Sequence, residues 1–143
     1  MIQNRTQPGK RLARHPGFSE TLPRTPESAA AARDLARTAL AAWGQQELTD
    51  GALLVLTELV SNAVKYGRIG AMRVIITWPT ESFIRLGVVD RSKTIPMMQL
   101  DSSGDHIHGR GLLLVDALTD RWGTDLYRWG KQVWGEIRVE VAA

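Results

Sequence analysis

The chain has 143 residues, no cysteine, 43% hydrophobic and 23% charged side chains, and a formal net charge of +3. That length fits one domain able to bury a core without a disulfide or metal staple, and the missing cysteines exclude a thiolate zinc site and a cysteine nucleophile. No apolar run reaches the roughly 20 residues of a membrane-spanning helix, and no apolar segment follows the basic N-terminus, so a cytoplasmic protein without a secretory signal is expected.

The positive charge sits at one end. Residues 1–24 carry five basic side chains against Glu20 alone, while the remainder holds 13 basic and 14 acidic residues. A DNA-binding domain places its excess on the folded body, as a stripe facing phosphates. Neither direct nucleic-acid binding nor membrane binding is therefore expected. Residues 1–16 are polar and basic, with Pro8, Gly9 and Pro16 and no periodicity, and read as a disordered tail. Residues 17–143 then form a single domain.

Phe18–Leu22 reads as a short edge strand. Thr25-Pro26-Glu27 is a helix start, with Thr25 as N-cap and Pro26 at the first helical position. The run Ser28–Trp43 follows, stopped by Gly44, and buries Leu35, Ala36, Ala39, Leu40 and Trp43. A second helix takes Asp50–Tyr66 and ends at Gly67, with Ala52, Val55, Leu56, Leu59, Val60 and Ala63 as its apolar stripe. Met72–Trp78 and Phe83–Val89 form a hairpin. Residues 90–110 are polar, aperiodic and long enough to be a functional lid. A third helix is predicted over Gly111–Leu118. Two strands, near Asp125–Trp129 and Gln132–Val141, are joined by Gly130-Lys131. Hairpins interleaved with helices predict an α+β fold, a two-layer sandwich with helices over one face of a mixed, mostly antiparallel sheet.

Three segments carry possible chemistry. Glu58 and Asn62 lie four residues apart, and Lys65 seven from Glu58, so they line one helix face. Spacing alone favours a solvated face. Asp90 ends a strongly apolar strand and can accept hydrogen bonds from an exocyclic amine, or simply open a turn. Ser92 and Pro96 follow it. Gly109-Arg110-Gly111-Leu112 opens the third helix, where free N–H groups and the helix dipole favour an anion. An ordinary glycine-containing junction reads the same way. The spacing is not that of a Walker A loop.

Taken together, Glu58-Leu59-Val60-Ser61-Asn62-Ala63, Asp90-x-Ser92-x-x-x-Pro96 and Gly109-Arg110-Gly111-Leu112 resemble the N, G1 and G2 boxes of the Bergerat ATP-binding fold. That is the GHKL superfamily of gyrases, heat-shock chaperones, histidine kinases and mismatch-repair proteins. The likeness is closer to the small stand-alone domains related to anti-sigma-factor serine/threonine kinases, abundant in actinobacteria. Gly109 to Leu118 with Trp122-Gly123, and Gly130-Lys131-Gln132-Val133-Trp134, are similar to that subgroup in particular. The resemblance spans about residues 18–141.

The resemblance implies ATP and Mg²⁺ as cofactors. On it, Asn62 would coordinate Mg²⁺, Glu58 would be the general base, and Asp90 would bind the adenine amino group. Gly109, Arg110 and Gly111, beside Leu112, would close on the phosphates, and Lys65 would lie near the same mouth. Ser92 stands where the family's Asp-x-Gly motif has its glycine. His106-Ile107-His108 lacks a third ligand and reads as a solvated loop rather than a metal site. Met97 and Met98, in the lid, are a possible partner-binding spot. The five tryptophans among nine aromatics read as core or dimer interface.

The implied function is a kinase that binds a sigma factor or similar regulator and phosphorylates an antagonist protein, with a homodimer as one possible state. Its rival is a catalytically idle nucleotide-binding module that sequesters a partner. Retention of Glu58 favours the kinase, since a pure binder needs no base.

Overall fold

The computed structural model describes residues 16–66, 70–92 and 107–140. Of the tail expected over 1–16, only Pro16 falls among them. In chain order the elements are β1 (Phe18–Pro23), α1 (Ser28–Ala42), a 3-10 turn (Gln46–Leu48) and α2 (Thr49–Tyr66). Then come β2 (Ala71–Thr80), β3 (Phe83–Asp90), α3 (Ile107–Leu118), β4 (Arg121–Leu126) and β5 (Lys131–Arg138).

The strands form one five-stranded sheet in the order β1-β2-β3-β5-β4. Every pairing is antiparallel, so the parallel component allowed by the sequence reading is absent from the described residues. Alternation sorts the side chains. Met72, Val74 and Ile76 of β2, Ile84, Leu86 and Val88 of β3, and Val133 of β5 are buried on one face. The α2 stripe meets them there, with Ala52, Val55, Leu56, Leu59, Val60 and Ala63 all at 3% exposure or less. Each such Leu, Ile or Val contributes about 1.5–3 kcal/mol when fully buried. α1 adds Ala32, Ala36, Ala39 and Leu40 to the same core, while Leu35 and Trp43 pack at its margin.

Three boundaries move for local reasons. Thr25 makes no side-chain cap; the Ser28 hydroxyl instead donates to the Pro23 carbonyl at 2.6 Å, and Glu27 takes the cap position without a side-chain bond. α1 ends as predicted at Gly44, whose φ of +70° lets its N–H reach Ala41 O and the Gln45 N–H reach Leu40 O. α3 begins at Ile107, four residues earlier than predicted, because glycines obscured its start. β4 also lies earlier than expected, and the hairpin is closed by Tyr127 N–H donating to Gly130 O. Trp129 thus leaves the strand and is exposed, stacked on Tyr127 at 5.0 Å. Among the described residues no helix is long and apolar enough to cross a membrane.

Candidate functional site

Glu58, Asn62 and Lys65 all ride on α2. Glu58 is half-buried, Asn62 is 5% exposed, and Lys65 is exposed in the last turn. Asn62 lies beside the apolar stripe, between buried Leu59 and Ala63. Its Nδ2 is buried and makes no hydrogen bond among the described residues. A buried amide group left without a partner costs about 1–3 kcal/mol, which a bound ligand could recover. Amide oxygen and nitrogen exchange by a flip of the side chain, so Asn62 can present a carbonyl oxygen at the same spot. That is the hard donor Mg²⁺ takes, together with phosphate oxygens and waters. Among the described residues there is no cluster of three metal-ligating side chains. The donor set fits a metal held largely by its ligand's phosphates.

Asp90 closes β3 on the helix-covered side, in line with Ile84, Leu86 and Val88. It is 2% exposed. Its register partner is Lys131, the first residue of β5. The Lys131 ammonium donates to Asp90 Oδ1 at 3.0 Å, to Oδ2 at 3.2 Å and to the Ser92 carbonyl at 3.1 Å. Oδ1 also accepts the Ser92 N–H at 2.7 Å. Both side chains are sealed, at 2% and 1% exposure for Lys131 and Asp90. Gly130 makes this possible. A Cβ there would stand 2.1 Å from the Asp90 carbonyl oxygen and 2.8 Å from Arg91 Cα, so only glycine lets the hairpin lie on the strand end.

Lys131, paired with Asp90, is the buried charge the sequence reading missed. Gly130-Lys131 read as a turn. The signal was there: Lys131, Val133, Gly135 and Ile137 alternate onto the core side, and a lysine in that row needs an anion.

Gly109, Arg110 and Gly111 are not a loop before a helix; they lie in the first turns of α3. Free N–H groups belong to a helix's first turn, so an anion site still has a place there. Leu112, next along, is fully buried. α2 touches both β3 and α3, so the Glu58–Asn62 helix packs against the strand that ends in Asp90 and the helix that carries the glycines. Ser92 is buried, and its backbone N–H and carbonyl meet Asp90 and Lys131. Pro96, Met97, Met98 and His106 lie outside the described residues, as does the His108 side chain. Trp43 and Trp78 pack at the core margin, and Trp122 Nε1 donates to Asp116 at 2.9 Å, tying α3 to β4.

Helices on one face of an antiparallel sheet, an acid–amide helix in the middle and a buried carboxylate at a strand mouth define the class, a GHKL-type ATPase fold. A family model described as the histidine kinase-like ATPase domain matches residues 22–134. The chain belongs to that family. Among solved structures it is similar to the RsbU and RsbW domains of Rv1364c from Mycobacterium tuberculosis. The TM-score is 0.65 at 21% identity, covering 87% of this chain and 32% of that one. This chain thus spans about a third of that protein, and the likeness is one of fold. No curated protein matches the sequence.

Proposed function

We propose that the protein is an ATP-binding regulator: a serine/threonine protein kinase of the anti-sigma-factor type. It would bind a sigma factor or a similar regulator and phosphorylate an antagonist protein. The observation that carries this reading is Asn62, whose buried Nδ2 has no partner among the described residues, one helical turn from Glu58 on α2. Membership of an ATPase family makes a nucleoside triphosphate the natural ligand.

Phosphoryl transfer asks mainly for positioning and neutralisation of charge. In this reading Asn62 would hold Mg²⁺, which would supply that neutralisation. Glu58 accepts the proton of the attacking hydroxyl or water. Asp90 accepts from the exocyclic amine of adenine, while Gly109, Arg110 and Gly111 receive the phosphates. Lys65, exposed at the end of α2, adds a cation near the helix end.

Two substitutions test the assignment. Glu58→Gln should leave ATP affinity intact and abolish ADP formation from MgATP; unchanged turnover would remove Glu58 from the mechanism. Asp90→Asn should weaken ATP binding by about 1–3 kcal/mol, the scale of a buried polar mismatch. An unaltered dissociation constant would sink the adenine assignment. Tight ATP binding without turnover in the unmodified protein would favour the idle, partner-sequestering module instead.

A further inference from the structure

We infer that Lys131 sets the base specificity of the nucleotide pocket, acting as a positioning residue through Asp90. The inference rests on the assignment of Asp90 to the base made above.

A lysine that is 2% exposed on the core side of a strand is costly to bury. Buried ion pairs are often no more stabilising than apolar residues of similar volume, so stability alone does not account for this one. Its geometry does. An ammonium has three donors, and all three are used here: on Oδ1, on Oδ2 and on the Ser92 carbonyl. Oδ1 is held from two sides, by Lys131 and by the Ser92 N–H. Oδ2 accepts from Lys131 alone among the described residues. The carboxylate therefore cannot turn, and the acceptor capacity it has left is on Oδ2. Gly130 fixes the other end of the arrangement by seating the β5 backbone on Asp90 and Arg91.

The consequence is chemical. A carboxylate with both oxygens engaged by an ammonium accepts hydrogen bonds and offers none. It suits a purine with an amine at position 6 and repels one with a carbonyl there. Without Lys131 the carboxylate loses the donors that hold it in place and is free to turn. A carboxylate that turns no longer presents a fixed acceptor, and the preference between the two purines weakens. Lys131 thus makes the site a reader of 6-amino purine nucleotides and excludes 6-oxo ones.

Calorimetric titration with MgATP and MgITP, which differ at position 6, measures this directly. The unmodified protein should prefer ATP by about tenfold or more, and in Lys131→Met the two affinities should come within about threefold, as expected for gain or loss of one buried polar match. A preference for ATP that survives Lys131→Met undiminished overturns the inference and leaves the nucleotide assignment standing. Absence of binding by either nucleotide to the unmodified protein removes both. If Lys131→Met fails to fold, the unmodified protein still decides the matter. The Lys131 ammonium resonance in a lysine-selective ¹⁵N spectrum should shift on addition of MgATP and stay in place with magnesium tripolyphosphate. A resonance indifferent to MgATP contradicts the inference.

Discussion

Two carboxylates are buried on opposite faces of the same sheet, and the protein treats them differently. Asp90, under the helices, meets a lysine as sealed as itself, with side-chain exposures of 1% and 2%. Glu136, on the open face, is 4% exposed but is met by Arg85 at 29% and Arg121 at 62%. Arg85 donates to Glu136 Oε2 at 2.9 Å from β3, and Arg121 to Oε1 at 3.0 Å from β4, so Glu136 on β5 clamps three strands. The arginines have other support: Arg85 lies 4.1 Å from the Trp134 ring centroid, and Arg121 lies 5.7 Å from that of Phe83. Their charges can turn to water if the clamp opens. Lys131 has no such exit. One pair stitches strands together, and the other fixes a buried carboxylate at the end of β3.

The contrast can be broken from either side. Lys131→Met should be the most damaging change, costing about 3–5 kcal/mol by leaving a buried carboxylate without its cation. Chemical denaturation measures it, and a loss under about 1 kcal/mol would show that the Asp90 carboxylate does not depend on Lys131. Glu136→Gln should cost less, about 1–3 kcal/mol, because an amide keeps one acceptor and both arginines already touch solvent. Equal losses for the two substitutions would erase the distinction. Arg121→Ala should fall below about 1 kcal/mol, as for an exposed ion pair, with Arg85 still holding Glu136.

Tyr127 offers the mildest probe. Burial, then the charge of Asp125, pushes its phenol above the ordinary value of 10.0, with Arg85 pulling the other way. The folded state therefore keeps the phenolic proton more firmly than the unfolded chain. Its contribution is complete below pH 10.0 and is lost as pH rises through the higher folded value. Tyr127→Phe should flatten the fall in melting temperature above that pH. An identical alkaline limb in the variant would show the phenol to be fully solvated.

Much of this was legible in the sequence. The α2 stripe, the 72–89 hairpin and the Gly44 stop follow from periodicity and from glycine's tolerance of positive φ. The N-box spacing put Glu58 and Asn62 on one helix. Other features depend on contacts between distant residues. The start of α3 was hidden because glycines in a helix's first turn look like loop. β4 was displaced because Trp122 and Gly123 read as a motif rather than a strand. Lys131 escaped because its meaning depends on Asp90, 41 residues away in sequence. That partner is fixed by strand register, which local pattern does not specify.

The central claim is that Asn62 on α2 and Asp90 at the end of β3 bind one magnesium nucleotide. Titration of ATP into the unmodified protein and into Asn62→Ala, each with and without Mg²⁺, tests it most directly. The account predicts magnesium-dependent binding that the substitution removes. No heat at millimolar ATP, or identical curves for the two proteins, would contradict it.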